Sequence, residues 1–246
     1  MILKVLGSSS TGNGYILEND TEALIIEAGM RLITVKKALN FNISKVVGCL
    51  VTHQHGDHAK YLKEYLKTGI TVLSSREVFA SLNDLVYSCW AKTVLPGKGY
   101  KIGNFKIIPF EAHHDVPCLG FLISHPETGS ILFLTDSFMS DYTFSNLSHI
   151  MIECNYADDI LDRNIQSGSV FPGMRPRLMS THMELETCKG VIKANDLSKV
   201  INIVLVHLSS QNSDEARFVT EIQRVSGKPV YAARKGMNLV FNYTPY

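Results

Sequence analysis

No uninterrupted apolar stretch in this sequence is long enough to cross a bilayer; the longest, residues 46–51 and 203–206, have strand length. Charge of either sign is scarce. Lysine and arginine number 24 against 23 acidic residues, so the net charge is +1, which argues neither for nor against a polyanionic partner. There is no Cys-x-x-Cys pair. Five scattered cysteines, Cys49, Cys89, Cys118, Cys154 and Cys188, fit reduced thiols in a cytoplasm better than a disulfide framework. The opening Met1-Ile-Leu-Lys-Val-Leu-Gly7 is too short an apolar stretch for a secretory leader, so a cytoplasmic protein without a membrane partner is expected. Repeats, low-complexity tracts and linker-like stretches are lacking too, which predicts one domain over residues 1–246. What the chain has is 45% hydrophobic residues and enough length to bury most of its apolar surface without a disulfide or metal to help it fold.

Short β-branched runs recur at residues 2–6, 15–18, 23–27, 46–51, 105–110, 119–124, 131–134, 150–153, 201–206 and 238–241, and read as strands. Helical stripes lie between them. Tyr61, Leu62, Tyr65 and Leu66 form one, and Leu185, Cys188, Val191 and Ile192 a second. Phe218, Ile222 and Val225 form a third, with Ser213 as the expected N-cap and Gly227 as the stop. Many strands without a regular strand–helix alternation predict stacked sheets covered by helices.

The chemistry concentrates in Thr52-His53-Gln-His55-Gly-Asp57-His58, which follows a buried-looking strand. Alternate side chains of an extended segment share a face, so His53 and His55 can reach one metal. Asp57 and His58 fall at the turn into a helix and can serve a second metal beside it. Imidazole with carboxylate is a ligand set for zinc or a comparable divalent ion. Further ligand-type residues close apolar runs: His114 after the run ending at Phe110, Asp136 after residues 131–135, and His207 after residues 203–206. Together they suggest a common metal rim.

His53-x-His55-x-Asp57-His58 followed by His114, Asp136 and His207 resembles the metallo-β-lactamase superfamily. The resemblance spans essentially the whole chain and implies an α/β fold, a four-layer αβ/βα sandwich of two mixed sheets flanked by helices. It implies two divalent ions, zinc with manganese as the alternative. His53, His55 and His114 would hold one, Asp57, His58 and His207 the other, and Asp136 would bridge them. His113 competes with His114. The latter is preferred because the family commonly shows His-Asp there, ahead of a Gly-aromatic strand matched by Gly120-Phe121.

Within the superfamily, Gly7-Ser-Ser-Ser-Thr-Gly-Asn13 resembles the Ser-Gly-Asn loop of the YycJ/WalJ-type nucleases, relatives of RNase Z. Glu153-Cys-Asn155 resembles their Glu-x-Asn element, and His207-Leu-Ser209-Ser-Gln-Asn212 their His-Leu-Ser-x-x-Asn. Arg175-Pro-Arg177 with Ser180-Thr-His182 resembles their basic segment and its histidine, although Thr181 and Met183-Glu184 depart from the Gly-His-Leu-Ser pattern. The implied reaction is hydrolysis of a phosphodiester by a hydroxide bridging two metals, on nucleic acid, with DNA favoured over RNA. His182 would protonate the leaving oxygen, and Asp57 would share in proton transfer. Arg175 and Arg177 are candidates for phosphate contacts, with Ser9, Ser10, Thr11, Asn13 and Asn155 as polar partners. Asn155 and Glu153 can also orient ligand histidines, and Tyr156 can stack on a terminal base. The competing reading is a hydrolase of a cyclic phosphodiester, lactone or thioester on the same metals.

Overall fold

The computed structural model describes residues 1–82 and 89–243. Six strands come first: β1 (Ile2–Gly7), β2 (Gly14–Glu18), β3 (Ala23–Ile26), β4 (Val46–Leu50), β5 (Val72–Ser74) and β6 (Ala91–Thr93). Seven more follow: β7 (Tyr100–Ile102), β8 (Phe105–Ala112), β9 (Cys118–His125), β10 (Gly129–Leu134), β11 (Leu147–Glu153), β12 (Asn202–Val206) and β13 (Val230–Ala232). The last, β14 (Asn238–Val240), returns to the first sheet. The two sheets run in the orders β14-β1-β2-β3-β4-β5-β6 and β13-β12-β11-β10-β9-β8-β7. Both are mixed. Pairing is antiparallel from β14 to β3 and from β7 to β10, and parallel beyond β3 and beyond β10.

Side-chain pattern explains the assignment of faces. β8 alternates buried and exposed positions over most of its length, as an antiparallel strand with one wet face does. The parallel strands β11 and β12 are buried at every position, because one face meets the other sheet and the second meets helices. Between the sheets lie Leu3, Tyr15, Leu24, Phe105, Phe121, Phe133 and Met151, with Tyr15 and Phe133 edge-to-face at 5.7 Å. Outside the first sheet pack α1 (Leu32–Ala38) and α3 (Leu62–Lys67), burying Val35, Leu62, Tyr65 and Leu66. Outside the second pack α7 (Leu185–Ala194) and α8 (Glu215–Ser226), burying Cys188, Ile192, Phe218 and Ile222. The result is the expected helix–sheet–sheet–helix sandwich. Among the described residues no helix is long and apolar enough to cross a membrane.

The cap of α8 differs from expectation. Asp214, not Ser213, accepts the Arg217 amide at 3.0 Å, while the Ser213 hydroxyl donates to the Ser209 carbonyl at 2.5 Å. Gly227 ends the helix in the left-handed region, φ 66°. The remaining helices, α2 (Gly56–Ala59), α4 (Arg76–Ala80), α5 (Asp158–Gln166) and α6 (Arg175–Thr181), are short.

Strand direction positions the site. By the pairing, β1, β3 and β4 run one way in the first sheet and β8, β10, β11 and β12 run one way in the second, and the residues just past β4, β8, β10 and β12 meet at one rim. The segments that leave their carboxyl ends therefore converge there, as ligand-binding loops do in open α/β sheets.

Candidate metal centre

The chain leaves β4 in an extended conformation and enters α2 at His55, whose φ and ψ are −62° and 152°. His53 and His55 consequently share a side, and His114 reaches them from the end of β8. The three rings pack edge to face with centroids 4.7–4.9 Å apart, and His55 Nδ1 lies 3.1 Å from His114 Nε2. One nitrogen from each can meet at a common ion. The first turn of α2 supplies the adjoining set: Asp57 and His58, with Asp136 from the end of β10 and His207 from the end of β12. His207 Nε2 is 3.0 Å from Asp57 Oδ2. Asp136 stands between the two sets, its Oδ2 2.7 Å from His58 Nε2 and 3.4 Å from His53 Nε2. Its Oδ1 lies 3.4 Å from His207 Nδ1. A third set overlaps the second, in which Glu153 and His182 join Asp136 and His207.

Backbone strain marks the same rim. Glu27, Asp136 and His207, each just past a strand end, have φ of 70°, 48° and 54°. Non-glycine residues rarely occupy this region without a local reason. Here it turns carboxylate and imidazole inward at the point where each strand stops.

Hydrogen bonds select which ring nitrogen faces the centre. His114 Nδ1 donates to the Thr181 carbonyl at 2.9 Å, leaving Nε2 for the cluster. His53 Nδ1 is held by the Thr52 hydroxyl at 2.9 Å, and its Nε2 is buried with no hydrogen-bond partner. An orphaned buried nitrogen costs about 1–3 kcal/mol. A divalent cation between His53 Nε2 and the Asp136 carboxylate would meet that demand, so the donor set fits a metal.

Charge divides the cluster into two halves. Burial, reinforced by the neighbouring His58, holds His53 well below the usual histidine range, and burial also lowers His114, so both rings favour the neutral form a metal would need. Burial opposes the charge on His58 and His207 as well, but Asp136 and the other carboxylates around them outweigh it, pushing His207 up to about 10 and His58 well above its ordinary value. Asp57 and Asp136 stay below the usual carboxylate range despite burial, through His207 and His58. This half attracts positive charge, which protons or metal ions can supply.

The remaining sequence candidates fall in several places. His113 turns away from the cluster and contacts Asp141 Oδ2 at 2.5 Å, whereas His114 faces inward. Asn13, expected to meet substrate, is instead fully buried, with Nδ2 3.0 Å from His58 Nε2 and 3.2 Å from Asp57 Oδ2. It lies beneath the cluster, against two of its side chains. Asn155 donates to the His207 carbonyl at 2.7 Å, and Glu153 Oε1 lies 2.8 Å from His182 Nδ1 and 3.2 Å from His207 Nδ1. Arg175 does not reach the cleft: its guanidinium is drawn onto Asp162 and Asp158 of α5. Tyr156, a candidate for base stacking, is only 3% exposed, packed with Leu161 and Val170. Ser9 and Thr11 join hydroxyls in an exposed loop. Ser10, Asn155, Arg177, His182 and His207 line one cleft of about 430 Å³.

Two carboxylates escaped the sequence reading. Glu27, fully buried, accepts the Thr52 amide at 3.3 Å and lies 3.3 Å from His58 Nδ1. It closes an apolar run just as Asp136 does, and that signal was available. Asp115 stands at the mouth of the first set, 3.2 Å from His114 Nε2 and 3.4 Å from His55 Nε2.

Gly29 lets three segments meet under the centre. Its amide donates to the Asn13 carbonyl at 3.1 Å while the Asn13 amide donates to the Asp57 carbonyl at 2.7 Å. A Cβ at Gly29 would fall 1.7 Å from that Asp57 oxygen. Gly29→Ala is expected to cost on the order of 3 kcal/mol or more by forcing the backbones apart. Urea unfolding against the wild type checks this.

A sandwich of two mixed sheets with this histidine–carboxylate rim defines a class, and residues 9–136, just over half of the chain, match the metallo-beta-lactamase superfamily. The chain belongs to that superfamily. It is 24% identical over 224 residues to the exodeoxyribonuclease WalJ of Streptococcus pneumoniae, covering 85% of this chain and 82% of that protein. With the exodeoxyribonuclease YycJ of Bacillus anthracis it shares 28% identity over 145 residues, covering 56% of this chain and 55% of that one. The solved metallo-beta-lactamase fold protein YhfI from Bacillus subtilis superposes with a TM-score of 0.74 at 17% identity, over 97% of this chain and 98% of its own. Human tRNase Z, short form, superposes with a TM-score of 0.66 at 15% identity, over 98% and 99%.

Proposed function

We propose that this protein is a metal-dependent phosphodiesterase that acts on nucleic acid, with DNA favoured over RNA. The observation that carries the reading is a pair of adjoining ligand sets with Asp136 between them, at the edge of a cleft in which Arg177 is the one lysine or arginine among the described residues. The two exodeoxyribonuclease relatives support the choice of substrate. His53, His55 and His114 would hold one ion and Asp57, His58 and His207 the other, with Asp136 shared. Imidazole and carboxylate suit zinc, with manganese as the alternative. Held by these residues, divalent ions would supply Lewis acidity and lower the pKa of water toward neutrality. The buried thiols of Cys49, Cys118, Cys154 and Cys188 suit a cytoplasmic setting.

The chain's own groups do the rest. Glu153 fixes the His182 ring through Nδ1, and the ring stacks on His207 with centroids 5.4 Å apart and planes 12° from parallel. Burial lowers the proton affinity of His182, but the Glu153 charge and hydrogen bond raise it overall above the ordinary histidine value. His182 Nε2 is thereby suited to deliver a proton to a departing oxygen. Asp57 holds His207 and shares in proton transfer, and Arg177, Ser10 and Asn155 line the approach to substrate. His182→Ala is expected to lower kcat by roughly 10²–10⁴-fold while metal content stays at the wild-type level. Steady-state kinetics beside metal analysis checks both, and a variant that loses metal would make His182 a ligand.

End-labelled single- and double-stranded DNA and RNA, incubated with the protein in zinc and in manganese, test the reading itself. Stepwise shortening of a strand is expected. A metal-loaded protein that leaves every strand intact yet opens cyclic phosphodiesters or lactones would overturn it.

A further inference from the structure

Phe171 is 75% exposed, more than any other large hydrophobic among the described residues, and it lines the cleft that reaches His182 and His207. Its ring lies across the bare backbone of Gly173, where a Cβ would come within 2.5 Å of the ring carbon Cε1. The Met174 amide donates to the Phe171 carbonyl at 2.9 Å and closes a tight turn over Pro172–Met174. The ring is therefore backed by backbone while remaining largely open to solvent. Met174, 42% exposed, adds a soft apolar thioether to the same wall. One α6 turn further on, Arg177 also lines the cleft and, among the described residues, makes no ion pair with a carboxylate, unlike Arg175. Gln211, exposed on the turn after His207, offers an amide to the edge of a ligand.

An exposed aromatic face beside a guanidinium with no carboxylate partner among the described residues complements a nucleotide: a flat apolar base and an anionic phosphate. Stacking on an aromatic side chain needs no particular base, because every base has a π-face. The cleft's 430 Å³ falls at the small end of the roughly 300–1,000 Å³ typical of small-ligand sites, which suits one nucleotide rather than a duplex.

We propose that this cleft is a subsite for the single unpaired terminal nucleotide of a nucleic-acid strand, with its base stacked on Phe171 and its phosphate on Arg177. The proposal rests on the phosphodiesterase reading above and adds its specificity: the strand end must be single-stranded or frayed to seat its base.

The test compares a single-stranded DNA oligonucleotide carrying an intact terminal nucleotide with the same strand ending in an abasic residue. Wild type, Phe171→Ala and Phe171→Trp are measured, each with its metal content. Removing the terminal base is expected to raise the wild-type KM on the order of ten-fold or more. Phe171→Ala should show that raised KM already on the intact strand and lose little more on the abasic one, while Phe171→Trp recovers the difference. An unchanged KM for Phe171→Ala, or an abasic penalty in Phe171→Ala as large as in wild type, would overturn the subsite and leave the nuclease reading standing. Failure of metal-loaded wild type to shorten either strand would overturn both.

Discussion

Asp136→Ala abolishes turnover and lowers the metal content, with a loss well beyond the roughly 10–100-fold that removal of an outer-shell partner costs. Among the described residues Asp136 is the one carboxylate whose oxygens face both ligand sets, at 2.7 Å from His58, 3.4 Å from His53 and 3.4 Å from His207. It is 2% exposed, so no water-filled space compensates for its removal. Without it the imidazoles of two sets converge on an empty position, and the half of the cluster around His58 and His207 loses the carboxylate that most favours positive charge there, whether protons or metal ions carry it. Asp136→Asn keeps the shape and removes the charge, so it should fail in metal retention nearly as badly. Turnover and metal analysis on the same preparations check both variants. Full activity in either would remove Asp136 from the centre.

Stripping the metal with a chelator lowers Tm by on the order of 10 °C. An ion that binds only the folded chain at about 1,000 times its Kd adds about 4 kcal/mol, and a chain of this size changes Tm by roughly 2–4 °C per kcal/mol. The sign follows from the buried groups: Asp136, Glu153 and Glu27 are carboxylates at 0–2% exposure, and His53 Nε2 has no hydrogen-bond partner. Asp136→Ala should show a much smaller chelator effect, because it holds less metal to lose. Calorimetry with and without chelator reads the difference. Equal Tm values for stripped and loaded wild type would mean that the cluster is satisfied by protons alone.

How much of this was legible in the sequence depends on the range over which each signal acts. His53, His55, Asp57 and His58 sit within six positions, and their spacing alone places them on an extended segment and the helix after it. His114, Asp136 and His207 were legible because each polar side chain closes an apolar run. The ten strand-length runs all appear as strands. The four strands that escaped, β5, β6, β7 and β13, have three residues each, too few for alternation to show.

Groups whose position depends on tertiary packing were not legible. Asn13 lies in a glycine-bearing loop that looks like a substrate loop. The irregular register between β1 and β2 and the contact with Gly29 carry it inside instead. Arg175 finds its carboxylates 13 and 17 residues away on α5, a pairing set by how α5 and α6 pack. Tyr156 is covered by Leu161 and Val170, while Phe171 is held up by the absence of a side chain at Gly173. No local pattern distinguishes these two aromatics.

Native mass measurement of the zinc-loaded chain, wild type beside Asp136→Ala, tests the shared centre most directly. Two ions per wild-type chain and fewer in the variant are predicted. A wild type that holds no more than one ion, or a variant that keeps two and still hydrolyses, would contradict it.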